Sequence, residues 1–102
     1  MVLQLSGKQR RFLRGRGHAL KASVHIGKGG IGASVLRQIE EGLEAHELIK
    51  VKILQGCPLA KDACAQAIGE ATGAALAQTV GGTLLFYRPP PEKPALALPG
   101  PQ

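Results

Sequence analysis

At 102 residues the chain holds material for one domain and not two. Its net charge of +6 is concentrated at one end: Lys8, Arg10, Arg11, Arg14, Arg16, Lys21, Lys28 and Arg37 precede any acid, whereas Gln38 onward carries five basic and seven acidic residues. Such asymmetry favours a polyanionic partner over a small neutral substrate, and the lack of a membrane-length apolar run or a signal-peptide core after Met1 points to a cytoplasmic chain.

In chain order, Ser6 and Gln9 match a capping box and predict a first helix through Leu13 that frays at Gly15-Arg16-Gly17. Its surface is Lys8, Arg10, Arg11 and Arg14, like charges at helical spacing that repel until an anion offsets them. From Leu20 to Ile26 the pattern alternates, with Ala22, Val24 and Ile26 on one side and Lys21, Ser23 and His25 on the other, which predicts a half-buried strand. A glycine loop follows, Gly27-Lys28-Gly29-Gly30-Ile31-Gly32. A helix over Ala33 to His46 then buries Val35, Leu36, Ile39 and Leu43 and wets Glu40, Glu41 and Glu44.

Leu48 to Leu54 is the second predicted strand, with Ile49, Val51 and Ile53 facing one way and Lys50 and Lys52 the other. Gly56 and Pro58 end it, and Pro58 suits the first position of a third helix over Leu59 to Thr72, capped by Gly73. That helix is expected to bury Ala63, Cys64, Ala67, Ile68 and Ala71, with Gly69 as a point of close packing. Cys64 reads as a small core residue and Cys57 as an incidental turn thiol, both reduced. Two strands around Gly81-Gly82 form a hairpin. The order αβαβαββ defines a compact α/β domain over residues 1–88 with a four-stranded mixed sheet. Residues 89–102 hold six of the seven prolines and read as a disordered, polyproline-like tail.

The glycine loop is the sharpest motif. It follows a strand and opens a helix, where free backbone amides meet an anion. Gly27-x-Gly29-x-x-Gly32 matches a dinucleotide fingerprint, and Gly27-Lys28-Gly29-Gly30 matches the G-x-x-G loop that clamps single-stranded RNA. A plain strand-to-helix turn is the third reading. The dinucleotide reading needs an acid near the end of the next strand, and Lys50 to Gly56 has none, so no cofactor is expected. His18, His25 and His46 are isolated and no nucleophile elbow is present, which argues against an enzyme. No metal site is expected from two cysteines seven positions apart. Lys50 and Lys52, with His25 and Ser23, form a polar sheet face open to solvent or to RNA. With aromatics limited to Phe12, Phe86 and Tyr87, contacts are expected to lean on phosphates rather than on base stacking.

Several of these stretches together resemble the YhbY family, the stand-alone bacterial form of the CRM (chloroplast RNA splicing and ribosome maturation) domain. They are Leu5-x-x-x-Gln9-Arg10-x-x-Leu13, His18-x-Leu20-Lys21, Ile26-Gly27-Lys28-Gly29-Gly30-Ile31, His46-Glu47-Leu48-Ile49-Lys50-Val51-Lys52, and Thr72-Gly73 through Leu84-Leu85-Phe86-Tyr87-Arg88-Pro89. The resemblance implies a fold similar to the C-terminal domain of translation initiation factor three. It also implies binding to precursor ribosomal RNA and a part in large-subunit assembly, with the G-x-x-G loop as an RNA contact. Ala22 departs from a frequent proline of that family, and Gly32-Ala33-Ser34 from a Thr-Glu-Gly-like helix start. The expected RNA-binding residues are Lys8, Arg10, Arg11, Arg14, Lys21, Gly27, Lys28, Gly29, Gly30, Lys50 and Lys52, acting in a monomer. The competing reading is a basic adaptor for a protein partner or an anionic membrane.

Overall fold

In the computed structural model, residues 5–89 and Pro99 are described. Three helices and four strands follow in the order α1 (Gly7–Gly17), β1 (Ala22–Ile26), α2 (Ala33–His46), β2 (Leu48–Ile53), α3 (Lys61–Thr72), β3 (Ala75–Val80) and β4 (Thr83–Tyr87). The strands make one mixed sheet in the order β1-β2-β4-β3. β1 and β2 are parallel, joined through α2, and both neighbours of β4 are antiparallel to it. Within the described residues the predicted αβαβαββ order and mixed sheet therefore hold. For the expected tail, residues 90–98 and 100–102 lie outside the described residues; Pro99 accepts a hydrogen bond of 2.9 Å from the Gln9 side-chain amide.

Period-2 alternation in the strands feeds two separate cores. On one face Val24, Ile26, Ile49, Val51, Leu84 and Phe86 meet Ile39 and Leu43 of α2 and Cys64 and Ile68 of α3. On the other, Leu48, Ala77, Leu85 and Tyr87 meet Leu13 of α1, with Leu5 and Phe12 at the margin. The sheet is thus sandwiched, with α2 and α3 on one side and α1 on the other. The chain crosses from α2 into β2 within one residue, because Glu47 takes a left-handed φ of 64° and donates its amide to Leu43. A non-glycine residue there stores backbone strain. The Arg88 amide donates to the Glu47 carbonyl at 2.9 Å, and the Arg88 guanidinium meets both Glu40 and the Thr72 carbonyl at 2.8 Å. One arginine so ties the ends of α2, α3 and β4 together.

The capping box forms as expected: Ser6 Oγ accepts from the Gln9 amide at 3.2 Å, and Gln9 Oε1 accepts from the Ser6 amide at 3.0 Å. The predicted fraying does not occur. α1 continues through Gly15-Arg16-Gly17, and the reason is tertiary. Gly17 is buried against β4, where a Cβ would lie 2.9 Å from a Leu85 methyl, so the absence of a side chain lets the helix end rest on the sheet. At Gly15 a Cβ would meet nothing within 4 Å. Gly15→Ala is therefore expected to stabilise the domain by up to ~1 kcal/mol through helix propensity. Gly17→Ala, pressed against a Leu85 that is itself buried, is expected to cost about 1–3 kcal/mol. Thermal melts of the two variants check this, and equal effects would refute the proposed seat.

α3 also departs from expectation. It begins at Lys61 with Ala60 as cap, so Pro58 and Leu59 stay in the preceding loop. Its buried stripe is Cys64, Ile68, Gly69 and Thr72, whereas Ala63 and Ala71 are exposed and Ala67 is half-buried. Thr72 is a buried polar residue with both needs met, since its hydroxyl donates to Ile68 at 2.7 Å and accepts from the Ala74 amide at 3.2 Å. On α2, Ile39 and Leu43 are buried, while Val35 and Leu36 are half-buried. Gly73, at φ 75°, caps α3 as expected, and Gly81, at φ 57°, turns the hairpin.

Candidate nucleic-acid interface

Lys8, Arg10, Arg11 and Arg14 are all exposed on α1. The helix buries only Gln9, Leu13 and Gly17, so every cation is left to solvent. Arg10, Arg11 and Arg14 line one wall of a groove of about 430 Å³, whose opposite wall is Ala77, Gln78 and Thr79 of β3. Arg16 belongs to the basic block but not to the expected contacts. It lies on the last turn of α1, with its guanidinium 5.6 Å from the centre of the Phe12 ring.

Lys50 and Lys52 alternate with the core residues of β2 and so share the α1 face of the sheet. The register sets Lys52 beside His25 on β1 and Thr83 on β4, and Lys50 beside Leu85. α1 covers Leu48, Leu85 and Tyr87 but leaves this corner open. His18, Lys50, Gln78 and Thr83 line a small cleft there, of about 190 Å³. His18, Gln78 and Thr83 are neighbours that single-sequence reasoning missed, because only strand pairing brings them together.

The glycine loop leaves the carboxyl end of β1, next to the His25–Lys52–Thr83 row. Its first four residues play different parts. The Gly30 amide donates to the Gly27 carbonyl at 3.0 Å and closes the turn. Gly30 has φ 65°, is buried, and would place a Cβ 3.3 Å from the Pro58 ring. It is a structural glycine. Gly29 is exposed, its φ lies outside the left-handed region, and a Cβ there would meet nothing within 4 Å. Lys28 is exposed, with its stem over Gly56 of the next loop: a Cβ at Gly56 would lie 3.4 Å from Lys28 Cγ. Gly27 is half-buried near Leu54. α2 opens from Gly32 without a side-chain cap, which leaves its first amides to another acceptor.

Lys21 is also placed apart from the loop, as are Arg10, Arg11 and Arg14, which border β3 at the opposite edge of the sheet from β1. Lys21 lies before β1, at the opposite end of that strand, about 16 Å along it at the usual rise. There it lines a cleft of about 400 Å³ with Arg16, Leu20, Ser23 and His46. The acids lie elsewhere: Glu40, Glu41 and Glu44 on α2, and Asp62 and Glu70 on α3, the two helices across the sheet from α1. Glu47 is buried at 5% exposure. Burial and then the Glu47 charge push the Tyr87 phenol above its ordinary pKa. Among the described residues, no group of three His, Cys, Asp or Glu is placed to hold a metal ion, and no helix is long and apolar enough to cross a membrane.

A basic helix thus lies on one face of a mixed α/β sheet, with a glycine loop at the strand ends. Residues 5–88 match the CRS1 / YhbY (CRM) domain, and the chain belongs to that family. It is 42% identical over 95 residues to YqeI of Bacillus subtilis, named a probable RNA-binding protein, covering 93% of this chain and 99% of the relative. It is 43% identical over 88 residues to a protein of Haemophilus influenzae named RNA-binding protein, covering 86% and 89%. The solution structure of SAV1595 from Staphylococcus aureus superimposes with a TM-score of 0.79 at 40% identity, covering 94% of this chain and all of that one.

Proposed function

We propose that this protein is a non-catalytic RNA-binding protein that grips the phosphate backbone with α1, the Lys50–Lys52 corner and the Gly27–Gly30 loop. The observation that carries the reading is the separation of charge across the sheet. The cations of α1 and β2 share one face, and on the other the five acids Glu40, Glu41, Glu44, Asp62 and Glu70 outnumber the two cations of α2 and α3, Arg37 and Lys61. The names of the Bacillus subtilis and Haemophilus influenzae relatives support RNA as the polyanion. The narrower target, precursor ribosomal RNA during large-subunit assembly in the cytoplasm, rests on the family resemblance. In this reading the protein acts as a monomer and uses no cofactor.

The test is a titration of large-subunit ribosomal RNA precursor at several salt concentrations, beside vesicles of anionic lipid. Affinity for RNA is expected to fall with salt at a log–log slope of about −0.7 per phosphate contact for single strands. Arg10→Glu with Arg14→Glu is expected to weaken binding across RNA sequences and flatten that slope. A flat salt dependence in the wild type, or preference for the vesicles, would overturn the reading.

A further inference from the structure

Cys57 and Cys64 are neighbours in space. Cys57 is half-buried on the turn after β2, and Cys64 is fully buried on the first turn of α3. Their sulfurs are 3.9 Å apart. We infer that this pair is a modification site: hydrogen peroxide converts it to a reversible intramolecular disulfide, and the bond loosens the adjacent glycine loop. The consequence for RNA rests on the function proposed above; the disulfide and the loop displacement do not.

The asymmetry of the two thiols sets the order of events. Burial, then the hydrogen bond and charge of Cys57, push the Cys64 thiol up to about 11, so it stays protonated at neutral pH. Cys57 is the one with access to solvent. Its thiolate attacks one peroxide oxygen; an S–O bond forms, the O–O bond breaks, and the departing hydroxide takes a proton to leave as water. Cys57 is then a sulfenic acid. The Cys64 sulfur attacks the Cys57 sulfur, the S–S bond forms and the S–O bond breaks. The departing hydroxide carries off the Cys64 proton as a second water. The two thiols lose two electrons and the peroxide gains two.

A disulfide needs the sulfurs at ~2.05 Å, so they must approach by roughly 2 Å. Cys64 is held in a helical turn, where its backbone N–H donates a hydrogen bond of 3.0 Å to the Ala60 carbonyl. Cys57 lies on a loop, its backbone N–H donating a longer hydrogen bond of 3.2 Å to the Leu54 carbonyl, and is the partner able to move. Its two chain neighbours are the supports of the glycine loop. Gly56 lies under the Lys28 stem, and Pro58 packs against Gly30. Drawing Cys57 toward α3 displaces both.

The experiment treats the full chain with hydrogen peroxide, maps thiols by alkylation and mass spectrometry, and follows backbone amides by NMR. The expected result is an intramolecular Cys57–Cys64 bond that a dithiol reductant reverses. Amide shifts at Lys28, Gly29 and Gly30 are expected to change in the wild type but not in Cys57→Ser or Cys57→Ala. RNA affinity of the oxidised wild type is expected to be at least threefold weaker, with both variants indifferent to peroxide. Thiols that stay open to alkylation, a covalent dimer in place of the internal bond, or an internal bond that leaves the loop amides unmoved would each overturn the inference. If the reduced protein bound no RNA, the proposed function would fall, while the mapped bond and the amide shifts would still decide the disulfide and its coupling to the loop.

Discussion

Replacing Lys28 and Gly29 together by aspartate is expected to weaken RNA binding at least about tenfold and to leave the far-UV circular dichroism native. The double change puts two negative charges where a phosphate is expected and removes one positive charge. Loss of charge-assisted hydrogen bonds plus repulsion exceeds ~1.4 kcal/mol, which is one decade of affinity. The structure explains why the fold survives. Lys28 is exposed, and Gly29 has open space around its Cβ position and no left-handed φ. Gly30 would be the wrong choice, because its φ of 65° and its contact with Pro58 make any side chain disruptive. Undiminished binding by the double variant would remove the loop from the interface and leave α1 as the main contact. A titration with NAD is the control: saturable NAD binding by the wild type, with RNA indifferent to the change, would restore the dinucleotide reading.

Leu13→Ala is expected to be the most damaging single substitution on the α1 face, at about 2–5 kcal/mol for a fully buried leucine. Leu13 is 0% exposed and is the α1 residue at the centre of the smaller core. α1 has little to hold it otherwise. Arg10 and Arg14 are four apart, and Lys8, Arg11 and Arg14 follow at intervals of three, so its own side chains repel. A helix of 11 residues is marginal alone in water, so tertiary packing must hold it in place. Against a total of ~5–15 kcal/mol for a small domain the expected loss is large. Chemical denaturation measures it. A loss below ~1 kcal/mol would mean that α1 is not anchored through this residue.

Much of the scaffold was legible because its signals are local. The Ser6/Gln9 capping box satisfies amides three residues apart, so the start of α1 follows from adjacent letters. Alternation in Ile49-Lys50-Val51-Lys52 can only be resolved by a strand with one wet and one dry side, and the register places both lysines on the face away from α2 and α3. Gly81 supplies the positive φ that the first position of this two-residue hairpin turn requires. The clustering of cations ahead of the first acid was equally plain, and with it the expectation of a polyanionic partner.

What stayed hidden depends on partners distant in sequence. No local rule carries α1 past Gly15; the helix reaches Gly17 because Leu85, nearly seventy positions later, fills the space its missing side chain leaves. Alanine scarcely distinguishes one helix face from another: Cys64, Ile68 and Gly69 of α3 are buried as expected, but the fold leaves Ala63 and Ala71 exposed and buries Thr72 instead. The four loop glycines look alike as letters, yet contact with Pro58 makes Gly30 structural and leaves Gly29 free to face a ligand. Lys21 and Lys28 flank one short strand and look equivalent, but a strand separates its ends, so they serve opposite corners of the surface. Composition and periodicity are additive along the chain and can be read from it. Which side chains come within van der Waals reach is a property of the closed fold, and it decides where α1 ends and which glycine is free.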